Sequence, residues 1–439
     1  MTSRLHIAPG LRGRRSSEPA AGHRRAYHKL PKRRRWTWIT ALACALAIVL
    51  PGAARAEQTP AELLADLEAE GFENLSVEKI SDGQGVVITF ENRRYRWEVV
   101  GLGVALGLAT AHQEGRVILV PMHTGVPMGR IEVDASDYRA FLRGELSEEE
   151  IFSRMVISSE AGPYQPGPHS SSFGKVDLTF APGVRINLVT PAPPGVFRGG
   201  ELRLSPGVYS NLWRGLSFDA TYVYPLSSSE PVVGRATGSI NARVGTEGFF
   251  QAQAGRLSEG LDGFAAALVY PSKDGRHLLG ASIAQAAYPG WDRTGSYQAF
   301  WTWRPTRYDA TATFAWGKFL AGDTGYSLTL ISGFRESNIE FSYTKTSLSE
   351  VLAAGFTVPL GWERQPRPAP VRFRFRNAFR FMYYDENPRP LDGGLYVPFM
   401  DGYQTAIRRW NRAYLRTYAH ELREAARRWL PAEVTESRE

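Results

Sequence analysis

The sequence predicts a mainly β protein, in which an antiparallel transmembrane β-barrel of about 12–14 strands follows a small periplasmic α/β domain and precedes a basic amphipathic C-terminal helix. Three observations predict this fold. One segment near the C-terminus alternates between apolar residues and arginine over most of its length. Many earlier segments of about ten residues also alternate, and their connections are short and long in turn. The last helical segment carries aromatic residues and arginines at helical spacing.

The strongest of these signals is the segment Val371–Tyr384. A β-strand sends successive side chains to opposite faces, so this segment has one apolar and one cationic face. The cationic face carries Arg372, Arg374, Arg376 and Arg380, and the apolar face carries Val371, Phe373, Phe375, Phe379, Phe381 and Tyr383. A wall with lipid outside and water inside requires this pattern.

Residues 1–56 have the features of a secretory signal peptide. A basic stretch ends at Lys32–Arg35, an apolar run extends from Trp36 to Leu50, and a small-residue cleavage site ends at Ala56. The leader holds 12 Lys and Arg and one acid, so removing its +11 from the total of +8 leaves −3 for the mature chain. Nucleic-acid binding by general basicity is therefore excluded. Cys44, the single cysteine, also lies in the leader, which excludes disulfides and Cys-bound metals from the mature chain.

Residues 57–162 are predicted to form the α/β domain. Thr59 and Pro60 indicate a helix start, residues 74–80 and 85–91 a pair of strands, and residues 95–100 an extended segment. The following elements are a small-residue helix over 101–113, a strand over 116–121 and a helix in two pieces over 137–155. Residues 163–174, rich in Gly, Pro and Ser, are predicted to be a linker.

Residues 175–400 are predicted to form the barrel. About twelve alternating strands precede the arginine-rich strand, and residues 395–400 are a candidate last strand. Connections such as 244–249 and 272–276 are short, whereas 189–198, 226–234, 256–262 and 288–296 are predicted to be longer links. Short turns at one end and long loops at the other are typical of outer-membrane barrels. The alternative is a large soluble β-sandwich or solenoid in the periplasm.

Residues 401–430 are predicted to form the basic amphipathic helix, and residues 431–439 a tail. Such a helix can lie on an anionic leaflet or dock against the periplasmic mouth of the barrel. The residues predicted to make either contact are Trp410, Tyr414, Tyr418 and Trp429 on the apolar side and Arg408, Arg409, Arg412 and Arg416 on the basic side.

The sequence shows no pattern of catalytic or metal-binding residues. The five histidines outside the leader have no partner at ligand spacing, and the glycine pattern Gly101, Gly103 and Gly107 is interpreted as close packing of a helix. We therefore expect no enzymatic activity, no cofactor and no metal. A polysaccharide hydrolase, for which His169 or His277 would have to supply the histidine, is the least favoured alternative.

Arg372, Arg374, Arg376 and Arg380 are the candidate binding residues. Guanidinium groups suit repeated contact with carboxylates and phosphates, and arginines in pores favour anions. One hypothesis is that they contact an anionic polymer in the lumen. The other is that they pair with acids on other strands, such as Asp177, Asp219, Asp309 and Glu340, and brace the barrel.

Several motifs resemble those of YjbH-like proteins. They are residues 71–77 (GFENLSV), 90–96 (FENRRYR), 101–103 (GLG), 118–121 (ILVP), 125–127 (GVP), 176–187 and 355–360 (GFTVPL), together with the acidic stretch through Phe141 and Phe152. YjbH-like proteins are outer-membrane barrels with periplasmic domains, encoded with exopolysaccharide or capsule secretion systems. The chain differs in being much shorter than the larger members and in ending with a basic helix.

Taken with the predicted fold, the resemblance implies a non-catalytic outer-membrane protein that assists export or surface assembly of an acidic exopolysaccharide. Its expected partners are outer-membrane lipid, the exopolysaccharide chain and other secretion components in the periplasm, and nucleic acid is not among them. The alternative is a general anion-favouring porin or a structural outer-membrane protein with no polysaccharide role.

Overall fold

The structure, a computed structural model, describes residues 59–80, 83–186, 200–226, 230–287, 292–305, 308–320, 322–375, 378–384, 405–407 and 409–429. Residues 56–439 form one compact unit. The predicted leader, the candidate strand over 395–400, the tail, Arg376 and Arg408 lie outside the described residues.

The N-terminal part is an α/β domain built on a six-stranded mixed sheet. The sheet order is β1-β2-β3-β5-β6, with β4 paired to β3, and β2 and β3 run parallel. Its elements are α1 (Pro60–Glu70), β1 (Glu73–Lys79), β2 (Gly85–Glu91), α2 (Glu98–His112), β3 (Arg116–His123), β4 (Val126–Pro127), β5 (Arg130–Asp134), α3 (Ala135–Arg143), α4 (Glu148–Arg154) and β6 (Val156–Ser158).

The helix boundaries in this domain follow local capping signals. Thr59 and Glu62 form a capping box at the start of α1, and Ser147 and Glu150 form another at α4. The expectation of an extended segment over residues 95–100 was wrong, because α2 begins at Glu98. Val99 and Val100 favour a strand by intrinsic propensity, but Val99 is completely buried in the domain core, so tertiary packing decides the conformation.

The strands that follow the α/β domain form one 14-stranded sheet. All twelve strands predicted before the arginine-rich segment are present, and that segment supplies two more. The strands are β7 (Val176–Ile186), β8 (Gly200–Trp213), β9 (Leu216–Pro225), β10 (Val232–Val244), β11 (Gly248–Ser258), β12 (Leu261–Pro271), β13 (His277–Ala287), β14 (Thr294–Trp303), β15 (Ala310–Lys318), β16 (Thr324–Phe334), β17 (Ser337–Thr346), β18 (Glu350–Pro359), β19 (Val371–Phe375) and β20 (Ala378–Tyr384).

Neighbouring strands from β7 to β18 pair in chain order and antiparallel. The two ends of this order are β19 and β20, which are only two residues apart in the chain. β20 pairs antiparallel with β18, whereas β19 pairs parallel with β7 over five residues, Val371–Phe375 against Val176–Phe180. One short segment therefore contacts both the first and the last of the twelve preceding strands.

The two faces of this sheet have opposite polarity. On the face that we call the apolar face, large side chains such as Trp213, Leu279, Trp316 and Phe373 are 60–70 % exposed. On the other, the polar face, Thr237, Asn241, Gln253, Thr302 and Arg372 are at most 5 % exposed. The alternation predicted for the arginine-rich segment is confirmed in β19, where Phe373 lies on the apolar face and Arg372 on the polar face.

The connections follow the predicted asymmetry only in part, since the six-residue β14–β15 connection lies at the end of the short turns and the three-residue β17–β18 connection at the end of the long links. Residues 256–262 were expected to form a long link, but β11 and β12 extend to Ser258 and Leu261 and leave only two residues between them. Arg256 and Asp262 pair across this turn at 2.9 and 3.0 Å and extend the ladder of the hairpin. We predicted a loop here from the glycine and serine content, but cross-strand pairing continues both strands through most of this segment.

The C-terminal segment is helical at residues 405–407 and 409 and then forms two short helices, α5 (Arg412–Thr417) and α6 (Ala419–Arg427), instead of the single helix that we expected over 401–430. Asn411 caps α5 through its side chain, and Tyr418 has non-helical dihedral angles between α5 and α6. No helix among the described residues is long and apolar enough to cross a membrane.

Helix α6 packs directly on α2 at two glycines. A Cβ atom on Gly103 would lie 2.6 Å from the carbonyl oxygen of Leu422, and one on Gly107 would lie 2.8 Å from Trp429. The interpretation of the glycine pattern as close helix packing is thus consistent with the structure. The C-terminal helices dock on the α/β domain, whereas we had considered an anionic leaflet or the periplasmic mouth of the barrel; they reach the large sheet through contacts such as that of Tyr418 with Asp309.

Candidate functional site

The arginines of the last strands are ion-paired on the polar face. Arg372 donates from Nε to Asp177 Oδ1 at 2.5 Å, and Arg374 donates to Asp177 Oδ2 at 2.9 Å. Arg380 donates from Nη2 to both carboxylate oxygens of Glu340, at 2.9 and 2.8 Å. Arg372 is 3 % exposed, so it cannot reach a solute in this conformation, whereas the Arg380 side chain is 44 % exposed. Arg372 and Arg374 therefore pair with an acid on another strand, as the hypothesis that they brace the barrel expects.

The α/β domain completes this ion cluster. Arg93, which follows β2, donates to Asp177 Oδ2 at 2.5 Å and lies 3.6 Å from Glu73. Glu73 also accepts from Lys175 at 2.8 Å and from Arg372 at 3.3 Å. We call Glu73, Arg93, Lys175, Asp177, Arg372 and Arg374 the junction cluster, because it joins the domain to β7 and β19. Burial tends to lower the pKa of Arg93, but the carboxylates of Glu73 and Asp177 outweigh it and raise the pKa.

A second buried network extends the junction. The Glu91 carboxylate accepts from Asn74 at 2.6 Å, from the backbone N–H groups of Thr124 and Gly125 at 3.1 and 3.0 Å, and from Asn211 of β8 at 3.2 Å. Burial raises the pKa of Glu91, and these donors oppose that effect. The domain and the sheet thus share one continuous set of hydrogen bonds, which is typical of a fixed rather than a transient contact.

The predicted linker belongs to the same network. Ser172 is fully buried and donates its backbone N–H to Asn74 at 3.0 Å, and Leu75 forms an isolated bridge with His169. Asn74 has φ 53°, which turns its side chain into this network. Residues 163–174 therefore contribute contacts to the junction in addition to connecting the two parts.

The domain and the C-terminal helices together contact every turn at one end of the large sheet, which we call the domain end. Arg96 holds Glu336 in the β16–β17 turn at 2.6 and 2.8 Å and the carbonyls of Leu360 and Gly361 at 3.1 and 2.6 Å. The other contacts are Thr124 with Gly215, Ser159 with Arg243, Glu160 with Lys273, and Tyr418 with Asp309. The α/β domain and the C-terminal helices, which together we call the cover, therefore extend across the domain end.

The aromatic residues predicted to anchor the C-terminal helix are buried in this cover. Trp410, Tyr414 and Tyr418 are 5–7 % exposed. The Trp97 indole donates to the Tyr414 hydroxyl at 2.7 Å and packs edge-on against Tyr418 at 5.0 Å. Trp429 packs over Gly107.

The arginines of the same segment contact the domain. Arg412 donates to the Phe152 carbonyl at 2.6 Å, and Arg416 pairs with Glu149 at 3.2 Å. Arg409 lines a small cavity of about 90 Å³ at the domain end, together with Asp309 and Glu336. The basic side of the segment is thus directed at groups of the protein in this structure.

Glu98 titrates in an unusual range. It lies half-buried at the start of α2, where Asn92 donates to it at 2.9 Å. Burial raises its pKa from 4.5 to about 7, although Asn92, Arg409 and Arg374 oppose the shift. The folded protein therefore holds this proton more tightly than the unfolded chain does.

Because the pKa of Glu98 is higher in the folded than in the unfolded state, the free energy of unfolding should fall as the pH rises from about 4.5 to about 7. At still higher pH Glu98 is ionised in the folded protein as well. We expect Glu98→Gln to remove this loss and to unfold at a higher temperature than the wild type at pH 8, by at most about 3 kcal/mol in free energy. Unfolding midpoints at pH 5 and pH 8 test this prediction, with Glu114→Gln at an exposed position as the control. Equal pH dependence in Glu98→Gln and wild type would contradict it.

The described residues contain no group of three or more His, Cys, Asp or Glu that could hold a metal ion. His277 stacks on Trp301 at 5.9 Å between ring centroids and accepts from its indole at 3.3 Å, so its ring is engaged with an aromatic side chain. His169 is exposed and bridges to β1 through its backbone. Neither arrangement resembles a hydrolase site.

Sequence reasoning missed Glu73, Arg93 and Lys175 as members of the junction cluster. Glu73 and Arg93 lie in two of the motifs, 71–77 and 90–96, on which the YjbH-like resemblance rests. Asn74, Glu91 and Arg96 belong to the same motifs and also join the domain to the sheet. The second motif was the available signal, because residues 90–96 hold four charged side chains (Glu91, Arg93, Arg94 and Arg96) at the end of a predicted strand.

The fold and site define a mainly β protein whose large sheet has an apolar and a polar face and is covered at one end by an α/β domain. No protein-family model matches the chain, and no curated protein is significantly similar to it.

Proposed function

We propose that this protein is an outer-membrane β-barrel, with its α/β domain in the periplasm, that assists the export or surface assembly of an acidic exopolysaccharide without catalysis. The observation that supports a membrane location is that the 14-stranded sheet exposes large apolar side chains on one face and buries polar side chains on the other. A soluble sandwich would cover its apolar face with a second sheet, but here large apolar side chains on that face are exposed. Lipid is the environment that such a face requires.

The strand pairing supports closure of the sheet into a barrel. β19 and β20 are two residues apart and pair with β7 and β18, so one short segment of the chain pairs with both edges of the sheet. If β19 and β20 are counted as one strand, the barrel has thirteen strands. When all other neighbours are antiparallel, an odd number of strands requires that the pair closing the barrel be parallel. β7–β19 is the one parallel pair in the described part of this sheet.

The polysaccharide part rests on the YjbH-like resemblance, and the location of its motifs supports it. These motifs supply the residues that fix the domain across the domain end, so the resemblance concerns the architecture of the protein rather than scattered positions. A covered mouth favours an assembly role, or passage that requires the cover to move. It is less consistent with a general anion-favouring porin, in which Arg372 and Arg374 would be accessible to small anions.

Cell fractionation with electrophoresis of boiled and unboiled samples tests the barrel. We expect the mature protein in the outer membrane, with a mobility that changes on boiling. A soluble periplasmic pool without such a change would contradict the membrane proposal. Loss of cell-surface polymer on deletion of the gene in the native host, restored by the wild-type gene, tests the polysaccharide role separately.

Among the candidate arginines that the structure describes, Arg380 is the one whose side chain is exposed on the polar face, which makes it a candidate for polymer contact. We expect Arg380→Gln to lower surface polymer about tenfold, as for loss of a charge-assisted contact, while the protein still reaches the outer membrane. Its matched control is Glu340→Gln, which removes the carboxylate from the same pair and should not lower polymer. If both variants lower export equally, Arg380 serves only to brace the wall.

A further inference from the structure

The last strand of the large sheet ends far from the C-terminal helices that follow it in the chain. β18 ends at the domain end, where Arg96 contacts the carbonyl of Leu360, the residue after this strand. β20 runs antiparallel to β18 and ends at Tyr384, which pairs with Ala353 near the start of β18. Tyr384 therefore lies near the end of the sheet opposite the domain end, which we call the far end.

The chain is next described at the domain end. Thr405 lines the small cavity there, Ile407 is buried, and Trp410 packs edge-on against Phe90 of the α/β domain at 6.5 Å. Residues 385–404 must therefore connect the far end with the domain end. Twenty residues reach at most about 70 Å, whereas a strand of ten residues such as β18 is about 33 Å long. The connection is thus long enough to run from one end of the sheet to the other.

In a membrane barrel this connection has only two possible routes. One runs through lipid along the apolar face, where every backbone N–H and C=O group needs a partner within the protein, so a lone segment would have to be helical. Residues 385–404 contain Pro388, Pro390 and Pro398 and four acids, which a helix surrounded by lipid does not tolerate. The other route is the lumen, where the side chains of the polar face can pair with the backbone.

The polar face carries an apolar patch that fits part of this connection. The patch consists of Ala265 and Ala267 of β12 with Ala284 and Ala286 of β13, which are 0–6 % exposed, and we call it the alanine patch. Side chains alone fill the interior of a barrel of about eight strands. In a barrel of thirteen strands the opposite wall lies farther away, so side chains as short as alanine need another part of the chain to bury them. The apolar run Leu395–Met400 can provide this contact.

The alanine patch belongs to an apolar cluster that extends between the same two ends. This cluster includes Leu320, in the β15–β16 connection at the far end, and Trp410 at the domain end. The interior beside β12 and β13 is therefore packed as a core. Such packing favours a lumen that holds protein along this side over one that holds only water.

A buried acid at the far end is complementary in charge to the connection. Asp323 immediately precedes β16, is 3 % exposed, and has no hydrogen-bond partner for either carboxylate oxygen among the described residues. A buried carboxylate is costly unless it is paired. Arg389, five residues after Tyr384, is the only basic residue in the sequence 385–404. A chain that enters the lumen at the far end brings this arginine to the end where Asp323 lies.

We infer that residues 385–404 pass through the lumen from the far end to the domain end and that Leu395–Met400 packs on the alanine patch. The inference rests on the proposed barrel, because only a closed wall in a membrane limits the connection to two routes. It assigns residues 395–400, a candidate last strand from the sequence, to the lumen instead of the sheet. It also deepens the proposed function, since an occupied lumen favours a role in polymer assembly over passage of polymer.

Disulfide cross-linking in the full-length mature protein tests this route. Cys44 is the single cysteine and lies in the predicted leader, so no native thiol competes. One cysteine replaces Ala265, and a second replaces each of residues 395–399 in turn. The control set replaces Phe264, the neighbour of Ala265 that lies on the apolar face, instead of Ala265. We expect a disulfide to Ala265→Cys from at least one position and none to Phe264→Cys, seen as altered mobility on non-reducing denaturing gels.

Other cross-linking results would overturn the inference. Disulfides to Phe264→Cys would place the connection on the apolar face. Disulfides to Gly183→Cys in β7, in a third set, would make residues 395–400 an added strand of the sheet. Absence of disulfides from all three sets would show that these residues do not lie against the alanine patch.

Replacement of residues 391–400 by ten glycine and serine residues tests what buries the alanine patch. We expect a polar thiol reagent to modify Ala284→Cys slowly in the otherwise unchanged protein and rapidly after the replacement, because the replacement uncovers the patch. Equal rates would overturn the inference while leaving the barrel intact. Absence of any compact, heat-sensitive form of the wild type on unboiled gels would overturn the proposed barrel together with the inference.

Discussion

Asp177→Asn should destabilise the folded protein by about 3–5 kcal/mol, the usual cost of removing one partner from a buried ion pair. Asp177 accepts from Arg93, Arg372 and Arg374, and its side chain is about 1 % exposed. Asparagine fills the same space without the negative charge, so Arg93 and Arg372 would keep Glu73 as an ion-pair partner, while Arg374 would lose the carboxylate to which it donates. Urea unfolding in detergent micelles, followed by the compact band on unboiled gels, measures the effect.

The matched control is Asp262→Asn, because Asp262 also makes a bidentate pair with an arginine but is 54 % exposed. Exposed pairs contribute about 1 kcal/mol or less. Arg372→Gln should partly rescue Asp177→Asn, since it removes one of the uncompensated charges. If the two asparagine variants are equally stable, the junction cluster does not hold the first and last strands together.

Gly103→Leu should displace the C-terminal helices from the α/β domain. Even a Cβ atom at this position would lie 2.6 Å from the Leu422 backbone oxygen and 2.9 Å from the Ala425 Cβ. Alanine is favoured over glycine by about 1 kcal/mol in an isolated helix, and overpacking costs about 1–3 kcal/mol. Gly103→Ala should therefore be neutral or destabilising, and Gly103→Leu clearly destabilising.

Trypsin sensitivity measures this displacement, because the C-terminal segment contains many arginines, among them Arg412, Arg416 and Arg423. We expect rapid cleavage in Gly103→Leu and slow cleavage in the wild type. Gly238→Ala is the control, since a Cβ atom there meets nothing within 4 Å. Higher stability of Gly103→Ala than of wild type would show that α6 does not pack on α2.

The large sheet could be predicted from sequence because its signal is local. Alternation with period two identifies each strand within ten residues, and it also assigns Arg372 and Phe373 to opposite faces. The errors lie where tertiary contacts override local preference. Val99 is helical because its environment is the domain core, and Arg256 continues a strand because Asp262 lies opposite.

The junction cluster could be predicted only in part. Asp177 was among the acids considered as partners for the arginine ladder, since both were placed on the polar face. Glu73 and Arg93 come from another sheet, and Arg372 lies 299 residues after Glu73. Strand patterns carry no information about which elements of two separate sheets meet, so this part of the site required the structure.

The docking of the C-terminal helices has a consequence for the order of assembly. Trp97 and Gly103 belong to the part of the chain that is synthesised first, yet Tyr418 and Leu422, more than 300 residues later, complete their packing. Contacts this distant in sequence form slowly, because a long loop must close before they contribute. The N-terminal domain therefore cannot complete its packing until the C-terminal segment has been synthesised. A fully packed N-terminal domain is thus expected only in a chain that has been completed.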